Sequence, residues 1–578
     1  MKILIVTLKY KTMSLRDITN SSSTKVNKKK RLSDSTIKVY SYTKSRKQFD
    51  IAFADDKVKL IFENKLELYK TKHGLKSVKD FFDHVLNHPD TNDNRKKEFS
   101  SDYNTDSILG NSKCSNFLCE NKKLFDLVDC LGHHHRNCGL ELRPSSLSNC
   151  GHLAEVVWSC QNGHKIQWES SSKLSENYAI NYRVMMSYLC SGITQMGYER
   201  FSQFAEIETL TEHFRNKASN TLSAIISVIA KESIQYALYD EIQHSKDKGE
   251  NEISIMTDAR HHCRKNSYHT DHVTLGQHSH KVINFQHINK NQEPSTQKHE
   301  KIGCEQMYND FERQGVKVNI HSHDRNLSVN KFVRTKDDVR NCNERWHATK
   351  PVAQGLKKIS SGARRNIGVT WHPQLADKGA RIRNHTYYAI DNCRNDPEIL
   401  RQIIDNCVPH FQNNHNNCAI DSECKTPNYV PDYVVIDDAS AVRLLTQFLH
   451  SLTLYKNAQD YALSKDTYYV ESFNNTCLIY LDKRVHYKDK SYLIRINLAI
   501  ISWNEHVDRP FTSRWNPEEV HHNRRQLGKK RYKKKTYNFV NDIWVLLVEV
   551  LDGRQQLPNI QGNDDDDSDH YQEDSDDE

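Results

Sequence analysis

The chain has 578 residues, 37% of them hydrophobic and 27% charged, with a net charge of +8; this length predicts several domains, and the low apolar share predicts that part of the chain lies outside any packed core. Its 15 cysteines are an odd number, several of them close to histidines, which argues against a secreted disulfide scaffold and for reduced thiols with some metal ligation. No window approaches the ~20 apolar residues of a membrane span, and the apolar start Met1 to Leu8 is too short for a signal peptide, is interrupted by Lys9 and lacks a small-residue cleavage site.

Residues 1–105 read as a largely disordered basic region, with linker-like Ser21-Ser22-Ser23 and Lys28-Lys29-Lys30-Arg31. One amphipathic helix is predicted from Val58 to Leu86, its stripe supplied by Leu60, Phe62, Leu66, Val78, Phe81 and Val85. Residues 106–172 form a Cys/His-rich, zinc-ribbon-like domain. His135-x2-Cys138 and Cys160-x3-His164, with Trp168 behind them, offer the nitrogen and sulfur ligands of a tetrahedral structural Zn²⁺. Gly163 relieves the tight turn between the second pair. Cys130, His133, His134 and Cys150 are rival ligands. Residues 173–250 read as helices, with Met185, Met186, Leu189, Ile193, Phe201, Phe204, Ile207 and Leu210 at mostly helical spacing broken near Gly192 and Gly197. They suit either a DNA-binding helix-turn-helix or a plain helical packing domain.

The pattern changes to strands at Ile253. Ile253 to Thr257 is one strand, and Val273 to Leu275 with Val282 to Ile288 reads as a hairpin around Gly276. A helix from Cys304 to Gln314 stops at Gly315, and Val316 to Ile320 is the next strand, with Val316, Val318 and Ile320 on one face. An antiparallel meander, a helix and a further strand is the order of a ribonuclease H-like α/β core, placed at residues 251–515 with a polar insert at about 359–437. Within the insert His410, His415, Cys418 and Cys424, with Cys393 and Cys407 nearby, offer a second zinc site that would help a polar segment order.

Asp258 follows the first apolar run, Asp324 the second, and Glu471 sits in the helix-like Tyr469-Val470-Glu471-Ser472-Phe473-Asn474-Asn475. Two acids at strand ends and one on a later helix suit two-metal phosphoryl transfer, in which ions roughly 4 Å apart activate the attacking oxygen and neutralise the leaving one. Mg²⁺ is hard and takes carboxylate, water and phosphate oxygens.

The phrases Thr257-Asp258-Ala259-Arg260, His321-Ser322-His323-Asp324-Arg325-Asn326, Glu344-Arg345-Trp346-His347-Ala348-Thr349-Lys350, Val470-Glu471-Ser472-Phe473-Asn474-Asn475 and Trp503-Asn504-Glu505-His506-Val507-Asp508-Arg509 occur in that order. From about Cys130 to Trp515 the chain thereby resembles eukaryotic cut-and-paste DDE transposases of the Kolobok-like, THAP-associated group. The resemblance implies a ribonuclease H-like fold, Mg²⁺ or Mn²⁺, and DNA cleavage and strand transfer. It implies Asp258, Asp324 and Glu471 as metal-binding catalytic acids, with Glu344, His347 and Arg325 supporting. Its further implications are transposon ends and target DNA as partners, a homo-oligomer and a nuclear location. Two positions depart from the family pattern: Ala259 stands where it has Gly, and Glu344 where it has Asp. Residues 1–105 contain no cysteine, so no THAP module is expected there.

Residues 516–560 form a basic segment and a short helix. The dense run Arg524 to Lys535, with Lys529, Lys530, Arg531 and Lys533, suits DNA phosphates or nuclear targeting. Residues 561–578 are an acidic disordered tail that masks the basic run, meets histones or solubilises the chain. The leading expectation is a transposase or a domesticated descendant. The runner-up is a catalytically inactive, transposase-derived DNA-binding protein, and a third class is a zinc-stabilised interaction scaffold without DNA affinity.

Overall fold

A computed structural model of the protein describes residues 116–262, 267–514 and 528–557, with the two-residue strands 38–39, 51–52 and 570–571. The chain divides into units 1–104 and 105–578. In the first, Lys38–Val39 pairs antiparallel with Ile51–Ala52. The expected Val58 to Leu86 helix, Arg524 to Leu527 and nearly all of the acidic tail lie outside the described residues.

The second unit is mixed α/β. It opens with helix α1 (Asn121–Cys138) and the antiparallel strands β1 (Arg143–Cys150), β2 (Leu153–Ser159) and β3 (Lys165–Glu169). Trp168 ties helix to sheet, its Nε1 donating to the Lys123 carbonyl at 2.8 Å. Helices α2 (Ala179–Cys190), α3 (Gln195–Phe204) and α4 (Glu212–Asp247) follow. Thr194 and Thr211 start the last two, each hydroxyl accepting from an otherwise unpaired first-turn amide. Met185, Met186, Leu222 and Ile226 share one hydrophobic cluster with Val273, Leu275 and Leu498. These helices are therefore a layer of the main core.

The central sheet contains β4 (Ile253–His261), β5 (His269–Gly276), β6 (Val282–Asn289), β7 (Val318–His323) and β8 (Arg340–Asn343), in the order β6-β5-β4-β7-β8. The pairings β6–β5 and β5–β4 are antiparallel, and β4–β7 and β7–β8 are parallel, so the sheet is mixed. Helix α5 (Thr296–Arg313) crosses from β6 to β7, the short α6 (Leu327–Val333) lies between β7 and β8, and Gly315 beyond α5 takes the left-handed conformation at φ +67°. Two strand ends differ from expectation. β4 does not stop at Thr257 but runs on to His261, because β5 continues to pair with it as far as Thr270. β7 begins at Val318 and carries on through polar His321, Ser322 and His323, all buried between neighbours.

On β5 the carboxylate of Asp271 is fully buried, accepting from Tyr492 Oη at 2.6 Å and His287 Nδ1 at 2.9 Å, with Arg260 Nη1 at 3.5 Å. Tyr492 comes from helix α14 (Asp489–His506), so this one acid fastens three elements. Burial alone would push its carboxyl up; the hydrogen bond and charge of His287, with Arg260, outweigh burial and hold it below its ordinary value. Asp271→Ala leaves the Arg260 guanidinium buried without its counter-charge. It is expected to cost about 3–5 kcal/mol, read as a lower urea midpoint.

Between β8 and the later helices lies an insert with its own core. It comprises α7 (Arg345–Ser360), α8 (Gly379–Asn392), α9 (Pro397–Asp405), α10 (Cys407–Phe411), α11 (Ala439–Ser451) and α12 (Thr453–Lys456). Val352, Ile382, Leu400, Ile404, Leu445 and Tyr461 are buried together, in a cluster reaching from Ala348 to Ala462. The insert is thus wider than the predicted 359–437. Its apolar residues are divided among short helices separated by polar loops, which dilutes them in any long window. Helix α13 (Tyr468–Cys477) then returns to the sheet, burying Val470 and Phe473 in the main cluster with Met256 of β4. The phrase Trp503 to Arg509 serves to fasten elements together. Asn504 Oδ1 accepts from the Val282 amide, and Glu505 caps helix α15 (Asn538–Leu551) at the amides of Asn538 and Phe539.

Candidate active site and metal-binding clusters

Strand register brings the acids together. β4 and β7 run parallel with Ser322 opposite Met256, so two residues further on Asp324 comes level with Asp258. β7 and β8 run parallel with His323 opposite Asn343, so Glu344 comes level with Asp324. The third acid arrives from helix α13, where Glu471 stands exposed in the first turn. One turn later Asn474 Nδ2 donates to Asp258 Oδ2 at 2.7 Å and links helix to strand.

The acids feel one another. Burial, then repulsion by Asp324 and Glu471, pushes the Asp258 carboxyl up to about 7, against the pull of the Ala259 amide and of His347. Burial and then repulsion by Glu344 also raise Glu471. Glu300 of α5 has no distinguishing signal in the sequence, yet it joins this group. Burial, then repulsion by Asp324 and Asp258, pushes it up to about 8, and Asn326 Nδ2 donates to it at 2.6 Å. Only its register on an amphipathic helix placed it there, and no local motif marks it. Among the described residues the tight four-ligand groupings, with ligand atoms within 4.8 Å of one another, are the two His/Cys clusters below. The carboxylates are more widely spread than that.

Of the three expected supporting residues, two reach this site. Glu344 is buried, its amide donates to the His323 carbonyl at 2.9 Å, and its carboxylate hydrogen-bonds His347 Nδ1. That bond holds the His347 imidazole above its ordinary value despite partial burial, and Asp324 and Glu471 reinforce it. Arg325 instead turns to Thr453 Oγ1 at 3.4 Å and lines a separate cleft of about 290 Å³ with Asn330, Arg334 and Asn457. The insert folds against this side of β7, and that contact captures the guanidinium.

The first His/Cys cluster is His134, Cys138, Cys160 and His164. His134 takes the place expected of His135. His134 and Cys138 lie four residues apart on the face of α1 that meets the Cys160–His164 turn. His135 is exposed, and its carbonyl accepts from Gly139 at the helix end. Gly163 sits at φ +79° in the turn between β2 and β3. His134 Nε2 is 3.4 Å from His164 Nδ1, and Cys160 Sγ is 3.6 Å from that nitrogen. These match the edges of a tetrahedron built on zinc bonds of about 2.0–2.1 Å to nitrogen and 2.3 Å to sulfur. The rivals stand aside: Cys130 and Cys150 are exposed, and His133 engages Asn137.

The second cluster is His410, His415, Cys418 and Cys424. His410 Nδ1 is 3.4 Å from Cys418 Sγ and 3.2 Å from His415 Nδ1. Burial, then the neighbouring His415, His385 and Arg381, lowers His410 to about 4, which keeps it the neutral imidazole that a metal requires. His415 is oriented by Asn413 Oδ1 at 3.0 Å. Cys393 and Cys407 are buried in the insert's core. Both clusters can hold a zinc ion.

Lys530–Tyr532 pairs with Phe511–Arg514 in a two-stranded ribbon. Lys529, Lys530 and Lys533 are exposed and Arg531 is half-buried. Lys530 Nζ lies 4.9 Å from the Phe511 ring centre, and Arg509 lies 5.6 Å from that of Tyr532. Among the described residues no helix is long and apolar enough to cross a membrane. No protein-family model matches the chain, and no curated protein matches it.

Proposed function

We propose that this protein is a DDE-type polynucleotidyl transferase: a DNA transposase or a domesticated descendant of one, with a ribonuclease H-like core. The observation that carries this reading is the register that sets Asp258, within β4, level with Asp324, just past the end of the adjacent parallel strand β7, with Glu471 delivered by a helix packed on β4. Three antiparallel strands followed by two parallel ones, joined by a crossover helix, support the core assignment.

The carboxylates suit Mg²⁺ or Mn²⁺: hard oxygen donors, partly buried and mutually repelling until a cation neutralises them. Asp258, Asp324 and Glu471 would hold the ions, which when bound activate the attacking oxygen and neutralise the leaving one. Asn474 fixes Asp258, and Asn326, hydrogen-bonded to Glu300, donates its own amide to Asp324 at 3.2 Å. The exposed cations Lys529, Lys530 and Lys533 suit the DNA backbone, which positions the duplex without reading its sequence. Transposon ends and target DNA are the partners of this reading. Joining two ends calls for at least a homodimer, and the nucleus is its place of action.

The test is cleavage and strand transfer on plasmid DNA in Mg²⁺ or Mn²⁺, with Glu471→Gln as control. Activity in the parent that is lost in the variant supports the enzyme. Tight, steeply salt-dependent DNA binding without cleavage supports an inactive DNA-binding descendant, a reading favoured by the commitment of Glu344 to His347. Absence of DNA binding at any salt concentration overturns both.

A further inference from the structure

We propose that the cleft beside Asp324 and Glu344 holds a backbone phosphate of the bound DNA strand, close to the one being cut, an inference that rests on the strand-cleavage reading above. The cleft, of about 290 Å³, is lined by Arg325, Asn330, Lys331, Arg334, Asn343 and Thr453, among others. It lies where two of the carboxylates stand: Arg325 directly follows Asp324, and Asn343 directly precedes Glu344. A DNA strand carries one charge per ~3.4 Å of its axis, about the length of one extended residue. A strand with one phosphate against the acids has neighbouring phosphates within reach of this cleft.

The lining suits an anion. No acid is among the described residues that form it. Arg325 and Lys331 are exposed, and neither forms an ion pair with a carboxylate among the described residues. Arg325 Nη1 instead donates to Thr453 Oγ1 at 3.4 Å, a tether that keeps the guanidinium in the cleft although Asp324 is its chain neighbour. Arg334 pairs with the buried carboxylate of Asp460. That pair fixes its planar fork, and a guanidinium has five N–H donors, more than one carboxylate fills. Asn343 is 3% exposed, and its Oδ1 has no hydrogen-bond partner. A carboxamide that turns over presents N–H groups in place of that oxygen.

Charge gives the cleft and the acids different tasks. Carboxylates repel a phosphate until a cation neutralises them, whereas three cations facing one paired carboxylate attract it with no metal bound. The guanidinium fork matches two phosphate oxygens, and Lys331 adds a mobile point charge. The volume is at the low end for a ligand pocket, which suits a single phosphodiester and excludes a duplex. Contacts of this kind fix the register of a strand and carry no sequence information. Arg325 and Lys331 are thus positioning residues: they hold the strand at a phosphate that does not react. The insert supplies Thr453, so it helps to set where the strand lies.

The experiment removes phosphate charges one at a time. A short duplex that the full chain binds in one register is made as a panel, each member with one phosphodiester replaced by a neutral methylphosphonate. Affinity is read by fluorescence anisotropy. In the parent, one position near the cut is expected to cost about 10-fold. In the double variant Arg325→Ala, Lys331→Ala that position should cost nothing further, while the other positions keep their penalties. The slope of log affinity against log salt should fall by about 1. Should the double variant lose its thermal unfolding transition, Lys331→Gln, which leaves the Arg325 tether in place, carries the same comparison. A variant that keeps every penalty of the parent overturns the subsite and leaves the strand-cleavage reading intact. If inorganic phosphate raises the melting temperature of the parent but not of the variant, while every penalty stays, the cleft takes a free phosphate and the DNA assignment is overturned. The expected pattern in a parent that cuts no DNA supports the subsite and overturns the strand-cleavage reading.

Discussion

Asp258→Asn is expected to abolish metal-dependent DNA cleavage, by at least about 10³-fold, while making the metal-free protein more stable. The two effects share one cause. Asp258 is pushed to about 7 by burial and by the charges of Asp324 and Glu471. Its folded-state value therefore lies above the value of about 3.9 in an unfolded chain. Between those two values the folded state binds more protons than the unfolded state, so stability falls as pH rises through that window. At pH 5 Asp258 is largely protonated in the fold and asparagine changes little. At pH 8 the parent must carry the charge and the variant need not. In chelator the variant should thus melt above the parent at pH 8, with the difference closing toward pH 4. Added Mg²⁺ should raise the parent's melting temperature more than the variant's. The asparagine Oδ1 can still accept from Asn474 Nδ2, so the link between α13 and β4 remains. A variant that cleaves DNA at the parent's rate would remove Asp258 from the chemistry, and one destabilised at pH 8 would remove the repulsion argument.

The same strand pairing separates what is legible in the sequence from what is not. Alternating apolar residues mark the strands of the sheet and the helix before Gly315, because those residues face a shared core. Asp258 and Asp324 stand out because a charge that ends an apolar run needs a reason. Their adjacency is a property of parallel pairing between segments far apart in the chain, and no local pattern encodes it. Glu300 illustrates the limit: it lies on a helix rich in charge and is selected only by the crossover that lays α5 against the sheet. The choice of His134 over His135 depends on which face of α1 meets the β2–β3 turn, a contact across the domain. His410, His415, Cys418 and Cys424 are close in sequence, so their spacing suffices to bring them together. Arg325 is displaced by the insert, whose packing against β7 spacing alone does not anticipate.

Loss of the second zinc cluster should unfold the polar segment between α10 and α11 and loosen the acids that the insert flanks. Between α10 and α11, residues 412–438 contain one turn of 3-10 helix and no strand, and only Tyr433 and Ile436 are buried there. Twenty-odd residues ordered by two buried side chains are far from offsetting about 1–2 kcal/mol of backbone entropy apiece. Three of the four ligands lie in this segment and the fourth, His410, on α10, so a bound ion closes the loop onto the helix it must pack against. Structural zinc contributes an apparent ~10–16 kcal/mol in small zinc domains, enough to decide whether this segment is ordered. Cys418→Ser should lower the zinc content by about one ion per chain and open protease sites within 413–432. Cysteine ligation by the first cluster should be unaffected. The insert is also tied to the acids at both ends. It begins at Arg345, beside Glu344, and near its close the buried carboxylate of Asp460 pairs with Arg334 of the β7–β8 connection, shortly before Glu471. A loosened insert therefore frees the chain on either side of Glu344 and Glu471, and cleavage should fall in Cys418→Ser although no acid has changed. Full activity and unaltered proteolysis after loss of that ion would show that the helices alone order the insert, and that the cluster has no part in holding the acids.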